Sequence, residues 1–239
     1  MTRQDIRQLV DGISFVDTHE HLWEESKRLT ALEQGEHSNI PAPDFGILTS
    51  HYSDSDLQVA GMPHKDLEAV QGYDLPPAEK WKLLAPWYAL IRHTGYGRCM
   101  RESVRSLYGV DDLREDTVET ISRKMRAAII PGFYKTILRD VCKIEYAQVN
   151  SLEKPLFMET DQPDLLAQDI STVPLCTGID IDGMSARANM NVASLKDWHH
   201  VIDWAFDTYG PRAIATKNQC AYERALNFDR VKTSDAAPL

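Results

Sequence analysis

No stretch of this 239-residue chain stays apolar for the roughly 18 residues a membrane-spanning helix needs, which excludes an integral helical membrane protein. Cysteine is scarce. Cys99, Cys142, Cys176 and Cys220 lie far apart with no C-x-x-C pair, which excludes a disulfide-stapled framework and a zinc ribbon and points to reduced thiols. Positive charge is also in short supply: 26 Lys and Arg face 36 Asp and Glu, a net charge of −10, the wrong sign for a polyanion binder. No glycine-rich phosphate loop, G-x-S-x-G elbow, internal repeat or low-complexity tract occurs. The opening Met1-Thr2-Arg3-Gln4-Asp5 is polar and unlike a signal peptide, so the expected location is the cytoplasm. What is present, 43% hydrophobic and 26% charged residues, is ordinary for a soluble globular chain of one large or two small domains.

Hydrophobic patterning divides the chain into three parts. Residues 1–23 hold a short polar helix and then Ile13-Ser14-Phe15-Val16-Asp17-Thr18, a near-continuous apolar run expected as a parallel strand buried on both faces. Residues 24–140 read as mostly helical. Trp81, Leu84, Ala85 and Tyr88 follow a helical spacing after Pro77, Met100 to Leu107 continues it, and Val118, Ile121, Met125 and Ala128 mark another helix. At about 120 residues this segment is too long for one crossover and is expected as an inserted helical subdomain. Residues 141–239 return to strands alternating with helices. Ile144 to Asn150 and Thr172 to Ile179 are the strand candidates, Ser194 caps an amphipathic helix carrying Leu195, Trp198, Val201, Ile202 and Ala205, and Ala213 to Lys217 is a short buried strand. Strand, helix, strand implies βαβ units and a parallel sheet.

The candidate chemistry begins with His19-Glu20-His21 at the end of the first strand. Side chains two apart in a strand point the same way, with Cα atoms roughly 6.7 Å apart, so two imidazoles can converge on one cation at about 2.1 Å each. The other reading is an incidental polar loop. Asp17 shares that face one step deeper and is expected to orient an imidazole. Lys217 ends the last strand. There it can act as a base, form a Schiff base, be carbamylated, bind a substrate anion as an ammonium, or simply extend to water. Arg92, Arg98 and Arg101 suit an acidic substrate as well as they suit a solvated helix face, and Tyr96 is equally open. His37, His51 and His64 read as surface positions, and His199 and His200 as outward-facing residues of a helix.

Phe15-Val16-Asp17-Thr18-His19-Glu20-His21-Leu22 resembles the first-strand signature of the amidohydrolase superfamily. Ile214-Ala215-Thr216-Lys217 with Ala221-Tyr222-Glu223-Arg224-Ala225-Leu226-Asn227-Phe228 resembles the fourth-strand region of its amidohydrolase-2 and uronate isomerase branch, and Arg92-His93-Thr94-Gly95-Tyr96-Gly97-Arg98 is similar to that branch's helical insertion. The resemblance implies a (β/α)8 barrel of the TIM type holding one or two divalent metals, zinc before manganese. His19 and His21 would be ligands, Lys217 a ligand or catalytic group, and Tyr222, Arg224, Tyr96 and Arg92 substrate contacts. It implies a hydrolase whose metal-activated water attacks a C–N or C–O bond of a small, acidic substrate, or alternatively a sugar-acid isomerase or decarboxylase. Family members complete the site from later strands, whereas this sequence holds about four, and a full barrel takes ~250 residues without large insertions. The expectation is therefore an α/β half-barrel of about four βα units with a helical insertion after its first strand. It would be inactive by itself or partnered by a complementary C-terminal half or another copy.

Overall fold

The computed structural model describes residues 1–35, 40–150 and 154–236, so His37 lies outside the described residues. Its contacts divide the chain into two compact units, Glu24–Cys142 and Met1–Trp23 joined with Lys143–Leu239. Helix α1 (Arg3–Asp11) and strand β1 (Phe15–Glu20) open the chain. The threonine hydroxyl of Thr2 accepts from the Asp5 amide while the Asp5 carboxylate accepts from the Thr2 amide, a reciprocal cap that fixes where α1 starts.

The helical unit contains α2 (Glu25–Gln34), α3 (Ser53–Val59), α4 (His64–Gln71), α5 (Pro77–Ile91), α6 (Gly95–Tyr108), α7 (Val118–Ala128) and a π-helical turn at Lys135–Val141. Proline at its first position begins α5, the Thr94 hydroxyl caps α6, and Gly109 ends α6 in the left-handed conformation. Phe45, Leu57, Leu84, Val104, Val118 and Ile121 are buried together as its core. Lys80 is fully buried in the same unit, its ammonium 2.6 Å from both Asp44 Oδ2 and the Gly72 carbonyl. An ammonium excluded from water must find such partners.

The other unit continues with β2 (Ile144–Val149), β3 (Leu166–Ser171), α8 (Val173–Thr177), α9 (Ile181–Ala188), α10 (Leu195–Tyr209), β4 (Ala215–Lys217) and α11 (Thr233–Ala236). The strands form one parallel sheet in the order β1-β2-β3-β4. Between β1 and β2 the register shifts twice, whereas β3 and β4 pair Asp169 with Ala215, Ile170 with Thr216 and Ser171 with Lys217. Ile170, Leu175, Met184, Trp198, Val201 and Ala205 pack as the core beneath the sheet. The architecture is an α/β half-barrel of four curled parallel strands. Among the described residues no helix is long and apolar enough to cross a membrane.

Three expectations are corrected. The last strand is shorter than Ala213 to Lys217 and is not buried: it begins at Ala215, and Ile214 and Thr216 are exposed. Thr172 to Ile179 is not a strand: Pro174 occupies the first turn of α8, where its missing N–H costs nothing, and the strand lies earlier, at Leu166–Ser171. Nor is β1 buried on both faces. It is an edge of the sheet with a single neighbour, and Phe15 and Val16 remain 48% and 44% exposed.

Candidate active site

Parallel strands deliver the residues at their carboxyl ends to one rim of the sheet, and chemistry in such folds is built there. His19 is the penultimate residue of β1 and His21 follows its last. Their rings stand at 90° with centroids 5.0 Å apart. Two imidazole nitrogens about 2.1 Å from one ion set ring centroids about 5 Å apart, so the spacing of the pair is the one that two ligands of a single divalent metal have. Among the described residues no third His, Cys, Asp or Glu joins them.

Each ring is anchored through Nδ1. His21 Nδ1 lies 3.1 Å from the Asn150 carbonyl oxygen. A carbonyl only accepts, so this nitrogen carries the proton, and in the neutral form of the ring the lone pair is then on Nε2. His19 Nδ1 lies 2.5 Å from Lys217 Nζ, at the end of β4. With the shared proton on Nδ1, His19 also offers Nε2 to an ion; with it on the amine, His19 carries Nε2–H instead and the two rings cannot chelate.

Asn150 and Asp169 carried no functional signal in the sequence. Asn150 ends β2's ladder, its amide donating to the Glu20 carbonyl at 3.0 Å. Its side-chain Nδ2 donates to Asp169 Oδ1 at 2.8 Å, and Gln148 Nε2 donates to Asp169 Oδ2 at 3.0 Å. Asp169 is 2% exposed, so the two amides replace the water its carboxylate gives up. Asp169, beside Gln168 in the otherwise apolar stretch Leu165 to Ile170, is the one trace of this arrangement in the sequence.

Asp17 does not orient an imidazole as expected. Its Oδ1 accepts from the His19 backbone amide at 3.1 Å, and its side chain is hydrogen-bonded to Glu20. Burial, reinforced by the hydrogen bond and negative charge of Asp17, raises the Glu20 carboxyl to about 7.

A cavity of about 420 Å³ opens at the carboxyl ends of β3 and β4. Ser171, Thr177, Asp180, Gln219, Tyr222 and Glu223 are among its walls, with Val173 and Pro174 supplying apolar surface. Ser171 is the cross-strand partner of Lys217, which ties this cavity to the His19–Lys217 contact. Arg224 donates to the carbonyls of Ala225 and of Cys176 on α8, and its guanidinium lies over the Phe228 ring. In the helical unit, Arg92 Nη2 donates to Asp112 Oδ2 at 2.6 Å, and Tyr96 stacks on Tyr52 with centroids 5.7 Å apart. His199 and His200 are exposed on α10, and all four cysteines are free thiols.

Curled parallel strands with imidazoles and an amine meeting at their carboxyl rim define the chain as part of a barrel-type α/β fold. A search of family models and a search of curated proteins each return no match. Among solved structures, the fold is similar to that of uronate isomerase from Thermotoga maritima, with a TM-score of 0.65 over 98% of this chain at 13% identity. The chain spans 56% of that protein's length.

Proposed function

We propose that this half-barrel is the metal-holding portion of a divalent-metal-dependent sugar-acid isomerase, acting on a small carboxylated sugar with βα units beyond its own four strands. The observation that carries this reading is the perpendicular His19–His21 pair at the carboxyl end of β1, set in a fold shared with a uronate isomerase. That neighbour favours isomerisation over the hydrolysis that the sequence put first.

A bound divalent ion, zinc or alternatively manganese, supplies a Lewis acid for carbonyl and hydroxyl oxygens. His19 and His21 would hold it through Nε2, with the Asn150 carbonyl fixing the His21 ring through Nδ1. Lys217, released from His19, places an ammonium beside the cavity, where it pairs with the substrate carboxylate. Tyr222 and Ser171 line the space for the sugar, and Arg224 braces the wall by holding Cys176. Arg92 and Tyr96 belong to the helical unit, where Arg92 is paired with Asp112 and Tyr96 is stacked on Tyr52, and they take no part in this reading. The remaining ligands come from a complementary set of βα units or a second copy. The exposed α1 and β1 side chains Ile6, Leu9, Val10, Phe15 and Val16 are the surface such a partner would cover. Four free thiols suit the reducing cytoplasm.

Elemental analysis of the purified chain tests the metal. About one equivalent of zinc or manganese, lost in His19→Asn, is expected, and both metals at background in the unaltered chain overturn the reading. Incubation with a hexuronate, with and without a complementary C-terminal half, tests the reaction. Appearance of the ketose acid by NMR supports it, whereas turnover of amide or ester substrates alone returns the assignment to a hydrolase.

A further inference from the structure

Asn150 binds the His19–Glu20–His21 segment at two points, its N–H donating to the Glu20 carbonyl and its own carbonyl accepting from His21 Nδ1. A backbone group can orient an imidazole only as well as it is itself held. The residue is 4% exposed, and among the described residues its side chain is fixed by the 2.8 Å hydrogen bond from Nδ2 to Asp169 Oδ1. A carboxylate accepts, so this bond sets which way the Asn150 amide faces, and among the described residues Asn150 Oδ1 is buried with no hydrogen-bond donor. Asp169, in turn, is held on its other oxygen by Gln148. Three strands thus converge on one ring: Asp169 on β3, Asn150 at the end of β2 and His21 at the end of β1.

We propose that Asn150 and Asp169 are positioning residues for His21, locking its neutral ring in the Nδ1–H tautomer so that Nε2 presents the lone pair to a ligand. The use of that lone pair rests on the metal reading above; the tautomer itself does not. Partners that fix the far nitrogen of a ligating histidine typically change metal affinity 10–100-fold when removed.

Long-range ¹H–¹⁵N spectra of the full ¹⁵N-labelled chain, recorded in EDTA above the titration range of histidine and with His21 assigned by substitution, test the proposal. The unaltered chain should show a protonated Nδ1 and an unprotonated Nε2 at His21. Asp169→Ala and Asn150→Ala should each move both ring nitrogens toward the averaged values of a mixed tautomer. Asp169→Asn should leave them in place, because the new amide oxygen still accepts from Asn150 and the Gln148 amide can turn over to accept. Gln148→Ala, which leaves the Asn150–Asp169 bond intact, should also leave them in place. A folded Asp169→Ala chain with unaltered His21 shifts overturns the proposal, and so does an Nε2–H tautomer in the unaltered chain. That last reading stands even if both alanine variants fail to fold. Calorimetric titration with zinc alone then separates the two claims. A 10–100-fold weaker affinity in Asp169→Ala supports both, whereas a tautomer shift in a chain that takes up no zinc supports the positioning role and overturns the metal reading.

Discussion

Lys217 Nζ lies 2.5 Å from His19 Nδ1, although β4 and β1 are the two outer strands of the sheet. Three strand spacings in a flat sheet would set those strands about 14 Å apart, more than the two side chains span. The contact therefore measures the curl of the half-barrel, which brings the carboxyl ends of the first and last strands to one point. It also gives the sheet a clasp made of the same groups that would handle the substrate.

Lys217→Met tests which of these duties matters. The pair is largely solvated, so its loss should change unfolding free energy by less than about 1 kcal/mol in denaturant titration. Affinity of the zinc-loaded chain for a hexuronate, read by calorimetry, should fall roughly tenfold, as expected for a charge-assisted hydrogen bond. An unchanged affinity removes Lys217 from the substrate site.

Glu20 makes stability depend on pH. Its folded carboxyl is raised from 4.5 to about 7, so between those values the folded state binds more protons than the unfolded state. Stability therefore falls as pH rises through this window, and the penalty is complete above it. After allowance for the solvent that reaches this half-buried group, Glu20→Gln should stabilise the chain by about 1–2 kcal/mol at pH 8 and by almost nothing at pH 4.5. Urea unfolding in EDTA at the two pH values checks the sign.

In the helical unit, Lys80→Ala leaves the Asp44 carboxylate without its buried cation. A loss of about 3–5 kcal/mol is expected in denaturant unfolding. Burial already raises the Asp44 carboxyl against the opposing pull of Lys80. The double replacement Asp44→Asn, Lys80→Met should recover much of the loss, because no lone charge then remains inside.

The two glycines of Thr94-Gly95-Tyr96-Gly97 should respond oppositely to alanine. A Cβ at Gly97 would run into the Ile91 carbonyl oxygen and sit 2.8 Å from Arg92 Cα, both rigid backbone. Gly97→Ala is expected to cost about 2 kcal/mol or more. At Gly95 a Cβ meets nothing within 4 Å, and the residue opens α6. Gly95→Ala should be neutral or stabilising by up to ~1 kcal/mol, and thermal melts of the two variants would show the contrast.

Elements with a local signature were legible in the sequence. Ser194 caps α10, and Trp198, Val201 and Ala205 on its apolar stripe are buried, because capping and periodicity act within a few residues. Strand β3 was not legible. Gln168 and Asp169 interrupt its apolar pattern, and the amides that make a buried Asp169 tolerable come from β2, twenty residues away in the chain. Thr172 to Ile179 has the β-branched residues of a strand, but a proline decided its fate. At the rim, His19, His21 and Lys217 announced themselves by residue type. The group that orients His21 is a backbone carbonyl, and every residue has one. Asp17 had the right chemistry to orient a ring but was claimed by the nearer His19 amide and Glu20.

Among the described residues strand β1 pairs with β2 alone, yet the whole helical unit, Glu24–Cys142, is encoded between them. During synthesis at about 5–20 residues per second, β1 is polymerised roughly 6–25 seconds before its partner. Throughout that interval Phe15 and Val16 have no sheet to join. Early completion of the helical unit would shorten the effective tether between the strands, so nascent-chain survival should depend on how fast those helices fold rather than on the sheet itself.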